Sequence, residues 1–198
     1  MNNYSSTIKT RGFLYLEMKK ASALYLQGSS RENIKRKALE DNIFLLNTEN
    51  RRREIAATVL DRVSVLDQFL LERLVNGNLG VGKQIVLYSI MKTDRLFFEF
   101  MQEVFFEKLF LGDYILESKD FKVFFQRKAE QSKRMASWVE YTFYKLSQVY
   151  RKILLEAGLA KREKRKLKIS RAVIEEDVAR HIQKNGHEIY LKAVLGEA

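Results

Sequence analysis

The segment Gly77-Asn78-Leu79-Gly80-Val81-Gly82-Lys83-Gln84 comes within one residue of the phosphate-binding loop Gly-x4-Gly-Lys-Ser/Thr. That chemistry needs glycines so that backbone amides reach phosphate, a lysine for the outer phosphates, and a hydroxyl for magnesium. Gln84 stands where the hydroxyl belongs. The motif must also follow a buried strand, and the residues before it read as amphipathic helix. The segment therefore reads as a glycine-rich connection with Lys83 in solvent, and no ATPase activity is expected. His181 and His187 are six residues apart across an Asn-Gly break, not the three or four that would put two metal ligands on one helical face. Cysteine is absent. Glu175, Glu176 and Asp177 open a helix, where acidic groups favour the helix dipole. No Ser-His-Asp order and no nucleophile elbow occurs. The chain reads as a non-enzyme with no catalytic residues, metal, cofactor or small-molecule substrate.

The basic residues carry the stronger signal. Lys161, Arg162, Lys164, Arg165, Lys166, Lys168 and Arg171 crowd one short segment against a single acid, Glu163. Arg51, Arg52 and Arg53 fall at the start of a helix, the end where the dipole disfavours cations. A phosphate held there would give that placement a reason, because helix N-termini and arginines both bind anions. Lys35, Arg36 and Lys37 add charge just upstream. An ordinary solvated basic face is the alternative for each cluster.

The elements that must position these residues are helical almost throughout. Apolar spacing predicts a helix over 12–27, ended by Gly28. Ser29 and Glu32 fit a capping box for a short helix to about 41. Thr48 caps a helix expected to run unbroken to about 75, with Ile55, Val59, Val63, Leu66, Phe69, Leu70 and Leu74 inward. The pair of helices around the 42–47 loop makes a candidate helix-turn-helix, offering Thr48, Asn50, Arg51 and Arg52 from the first turn of its second helix. Helices are expected at 81–92, at 94–111, and from Ser118, as the cap, to 130. One long helix is expected over 133–157, with Met135, Val139, Thr142, Leu146, Val149, Ile153 and Leu154 inward. Gly158 stops it. Residues 159–169 read as a small basic hairpin, which after a long helix looks like the wing of a winged helix. Ser170 is expected to cap a helix to about 184, before a last helix to about 195.

Composition bounds the rest. In 198 residues there are no prolines, 46% hydrophobic residues and a net charge of +11, which suits a helical globular protein that attracts polyanions. Residues 1–75 are expected as an N-terminal helical part and 76–198 as a helical core with a basic end, forming one continuous unit. No secretory signal is expected at the polar N-terminus. The most apolar stretch, Leu96 to Leu111, is broken by Glu99, Gln102, Glu103, Glu107 and Lys108, so no membrane span is expected and the protein reads as cytoplasmic.

Several blocks resemble the BrxA family of bacteriophage exclusion (BREX) defence proteins. They are Thr10 to Leu14, Leu24 to Lys35, Arg53 to Ala56 with Arg62 and Leu66, Gln84 to Leu96, Phe100 to Val104, and Ser147 to Leu159. The resemblance runs in order over most of the chain and includes no catalytic motif. It implies an all-helical fold, likened to the antitermination protein NusB, and work beside other BREX components. The expectation is thus an all-α accessory protein that binds nucleic acid, double-stranded DNA foremost. RNA binding in the NusB manner and a basic scaffold for acidic partner proteins are the alternatives.

Overall fold

Chain reversals fall where the sequence places its helix stops. Gly28 (φ 86°) and Gly158 (φ 78°) both sit in the left-handed region that glycine enters without strain. The structure is a computed structural model and describes residues 4–196. Its contacts divide the chain into two compact units, Phe13–Thr93 and Met1–Gly12 with Asp94–Ala198. In the first of these the helix following Gly77 packs with the helices before it.

The Phe13–Thr93 unit contains α1 (Tyr15–Leu26), α2 (Arg31–Leu39), α3 (Glu49–Val63), α4 (Gln68–Asn76) and α5 (Leu79–Thr93). Met18, Ile34, Ile55, Val59, Leu74 and Ile85 are fully enclosed in its core. The cap of α2 is Ser30, one residue beyond the expected Ser29, and it accepts from the Asn33 N–H at 3.2 Å. Thr48 caps α3 as expected, accepting from Arg51 N–H at 3.2 Å. The single helix expected over 48–75 is two. Asp67 accepts the Leu70 N–H at 3.0 Å and opens α4. Apolar periodicity hides the break because both halves bury residues on the same core. Gly82 lies in α5, where a Cβ would meet the Tyr15 ring at 2.8 Å. Of the near phosphate-binding loop only Gly77 and Asn78 connect two helices; the rest is the first part of α5, and Gly82 serves close packing.

In the other unit a helical run comprises α6 (Arg95–Phe100), a π-helical turn (Met101–Phe105) and α7 (Phe106–Phe110). There follow β1 (Ile115–Leu116), α8 (Ser118–Glu130), the one-turn α9 (Lys133–Ala136), α10 (Glu140–Glu156), β2 (Ala160–Glu163) and β3 (Lys166–Ile169). The unit ends with α11 (Glu176–Lys184) and α12 (Glu188–Leu195). Three expectations shift here. The helix expected over 133–157 is broken at residues 137–139, and Val139 is 67% exposed rather than inward. Glu117, extended at φ −108°, precedes α8 as its cap, so Ser118 is the first helical residue. Residues 170–175 are irregular, and Glu175 rather than Ser170 precedes α11.

An aromatic core holds this unit. Tyr150 of α10 meets Phe97 edge-on at 4.9 Å, and Phe100 stacks on Phe121 at 5.0 Å. Such pairs contribute about 0.5–1.5 kcal/mol each beyond their buried area. One charged group is buried with them. Lys128 bonds Glu99 at 2.7 Å and also Glu103, while Glu99 accepts from Tyr4 Oη at 2.7 Å and Arg95 at 2.6 Å. Burial alone would raise the Glu99 carboxyl, but the hydrogen bonds from Lys128, Tyr4 and Arg95 outweigh it and hold it below its ordinary value.

Candidate nucleic-acid interface

The expected hairpin forms, and a third strand joins it. β3 pairs antiparallel with both β2 and β1, giving the sheet order β1-β3-β2. The order of the unit from residue 95 is helix (95–110), β1, α8, α9, α10, β2, β3, α11, α12. The β2–β3 hairpin, the wing that the sequence leads one to expect, follows α10 directly. The sequence reading missed β1. It is two residues long, and its pairing partners lie about fifty positions on, at Leu167 and Lys168.

Alternation along the wing sets its two faces. Leu167 and Ile169 are buried and pin β3 to the core, while Lys166 and Lys168 face solvent. Lys161 lies directly across from Lys168, and Glu163 across from Lys166. Lys164 and Arg165 form the two-residue tip, with Lys164 at φ 54°. Lys161, Arg162, Lys164, Arg165 and Lys168 are exposed and form no ion pair among the described residues. Lys166 differs. It pairs with Glu117, whose carboxyl is pulled down to about 2, first by Lys166 and then by Lys119. Arg171 is exposed just beyond β3. This unit thus brings together the whole predicted C-terminal cluster.

α10 presents a face that the sequence reading did not single out. Tyr141, Tyr144, Lys145, Gln148 and Lys152 are exposed, opposite buried Thr142, Leu146, Val149 and Ile153. The signal was available: two tyrosines at the solvent phase of a helix whose other phase is already filled. Tyr141 and Tyr144 stack at 6.2 Å, and the Lys145 ammonium sits 5.3 Å from the Tyr141 ring centre.

The other predicted residues lie in the Phe13–Thr93 unit. Lys35 and Arg36 are exposed on α2, and Lys37 is half-buried. Asn50 is exposed in the first turn of α3. The residues joining α2 to α3 are 40–48, longer than the loop expected between them. The arginine triplet is largely satisfied from within. Arg51 pairs with Glu54 at 3.4 Å and Arg53 with Glu49. Arg52 is half-buried and donates to the carbonyls of Leu46 (3.2 Å) and Leu39 (3.1 Å). Leu39 is the last residue of α2, so Arg52 supplies donors to a helix C-terminus. Three exposed arginines awaiting an anion were expected, and one of the three is instead a structural brace.

The geometry defines a mostly helical protein with one small three-stranded sheet that carries a basic hairpin. A family model described as BrxA matches residues 2–186. A BREX protein BrxA of Bacillus cereus (strain H3081.97) is 50% identical over 194 residues, covering 98% of this chain and 97% of that one. The chain belongs to the BrxA family. In fold it is similar to the crystal structure of an uncharacterized protein from Magnetospirillum magneticum, with a TM-score of 0.86 and 17% identity over 99% of this chain and 100% of the other. Among the described residues no helix is long and apolar enough to cross a membrane, and no group of three or more His, Asp or Glu could hold a metal ion.

Proposed function

We propose that this protein is a non-enzymatic, cytoplasmic accessory component of a BREX phage-defence system that binds double-stranded DNA. The observation that carries the reading is the β1–α8–α9–α10–β2–β3 order with five unpaired cations on the hairpin, which we read as a winged helix with α10 as recognition helix and the hairpin as wing. In that arrangement the recognition helix enters the major groove and the wing lies along the flanking backbone, where lysine and arginine neutralise phosphates. The net charge of +11 acts in the same direction by steering the chain toward polyanions. The BREX assignment rests on the relative's name. The partners are duplex DNA and other BREX components.

Exposed Tyr141 and Tyr144 beside basic groups favour RNA or single strands as a second reading. Duplex fits better, because the two rings stack on each other, while the adjacent hairpin, with its five unpaired cations, carries no aromatic residue for a base to stack on. A gel-shift series with duplex DNA, single-stranded DNA and RNA of one sequence, at two salt concentrations, tests this. Duplex should bind tightest, with affinity falling steeply in salt. RNA bound more tightly than duplex overturns the reading, and no affinity for any of the three returns the basic surface to a scaffold for acidic proteins.

A further inference from the structure

We infer that the exposed face of α10 reads base edges, with Gln148 as the adenine reader and Tyr141, Tyr144 and Lys145 flanking it, so that binding is sequence-selective over about three base pairs. This rests on the duplex reading above and goes beyond backbone contact.

Side-chain chemistry is divided between two neighbouring elements. The wing offers lysine and arginine, which as point charges and forks suit phosphate. The α10 face instead offers an amide, two phenols and two lysines. The Gln148 amide carries a donor and an acceptor side by side, which is the complement of adenine N7 and N6 in the major groove. Tyrosine rings present apolar edges that suit a thymine methyl group, and lysine reaches the O6 and N7 acceptors of guanine. Spacing fits a groove. Tyr141, Lys145, Gln148 and Lys152 follow one another at intervals of four, three and four residues, which keeps them on one stripe. Seven residues of helix rise about 10.5 Å, the length of about three base pairs.

The face is also pre-arranged. Tyr141 is 63% and Tyr144 56% exposed, whereas Tyr150 of the same helix is fully buried. Their mutual stacking and the Lys145 contact hold both side chains in place before anything binds. Major-groove edges are the occupant that fits, because the neighbouring wing carries five unpaired cations and a duplex alone places phosphates and base edges side by side.

The test is repeated selection of bound duplexes from a randomised pool by the full chain, then anisotropy on the winning sequence. The parent should enrich a motif of about three or four base pairs containing an adenine. Gln148→Ala should flatten that position and lose about 5- to 150-fold of discrimination there, while affinity for unrelated duplex stays near the parent's. Tyr144→Ala should relax an adjacent position. Far-ultraviolet circular dichroism of both variants should match the parent, since both side chains are exposed. Tight duplex binding with no enriched motif overturns base reading and leaves the backbone reading standing. A motif unaltered by Gln148→Ala overturns the assignment of that residue. Loss of duplex binding by the parent overturns both readings.

Discussion

Neutralising the wing separates backbone contact from general basicity, because the structure states which cations are free. Lys161, Lys164, Arg165 and Lys168 have no carboxylate partner among the described residues, whereas Lys166 is already met by Glu117. Each neutralised phosphate contributes a slope of about −0.9 in log affinity against log salt. If three of these four, among the five free cations, touch phosphate, replacing the four with glutamine should flatten the slope by about 2.7. At 150 mM salt the same three contacts contribute roughly two orders of magnitude in affinity, so the variant should bind about 100-fold more weakly. Lys166→Gln alone should alter the slope by well under 0.9, roughly a single contact, because its charge is compensated before DNA arrives. Fluorescence anisotropy with a labelled duplex at 50, 100 and 200 mM salt measures both, and two unrelated sequences should give the same loss, since phosphate contacts carry no sequence information. A quadruple variant with the parent's slope refutes the wing contact. A Lys166→Gln effect as large as that of the free cations refutes the distinction between paired and free charge.

Two further outcomes follow from buried charge. Arg52→Ala removes donors from the Leu39 and Leu46 carbonyls and should cost about 1.5–3 kcal/mol in urea unfolding, where a purely dipolar argument expects a small gain; unchanged or increased stability refutes the brace. Glu99 is held below its ordinary value near 4.5, so its contribution is fully present above that value and is lost as pH falls through the lower folded-state value. Unfolding measured from pH 7 to pH 2 should therefore show an acid limb that shrinks in Glu99→Gln, and an identical limb in the variant refutes the Lys128–Glu99 account.

Elements fixed by local chemistry were legible in the sequence. The Thr48 cap, the Gly28 and Gly158 stops and the basic hairpin each depend on a few adjacent residues, and each stands where the spacing put it. Features fixed by distant partners were not. β1 is defined by Leu167 and Lys168, and nothing in Ile115-Leu116 itself announces a strand. The breaks at 64–67 and 137–139 are invisible to apolar periodicity, which continues across them. The role of Arg52 depends on carbonyls six and thirteen residues back. The α10 face lay within reach, but attention to charge alone passed over Tyr141, Tyr144 and Gln148.

Both basic clusters place cations where local electrostatics opposes them, the arginines at a helix start and the hairpin lysines across from one another, and the fold treats them differently. Around Arg51 to Arg53 the misfit is resolved internally, by Glu54, Glu49 and two carbonyl oxygens. On the wing it is left standing. Lys161 faces Lys168 directly, a like-charge pair that weakens a ladder. The tip places Lys164 at φ 54°, where a hairpin shaped for folding alone would carry Asn-Gly or another glycine turn. The burial of Leu167 and Ile169, the pairing of β3 with β1 and β2, and the Glu117–Lys166 pair oppose these costs. A short strand pair that retains unpaired charge at its tip, against both turn preference and cross-strand repulsion, is best explained by a polyanion that supplies the missing counter-charge. The α2–α3 arginines carry no such residue of misfit, and for that reason the wing, rather than the arginine triplet, is where the DNA backbone is expected to lie.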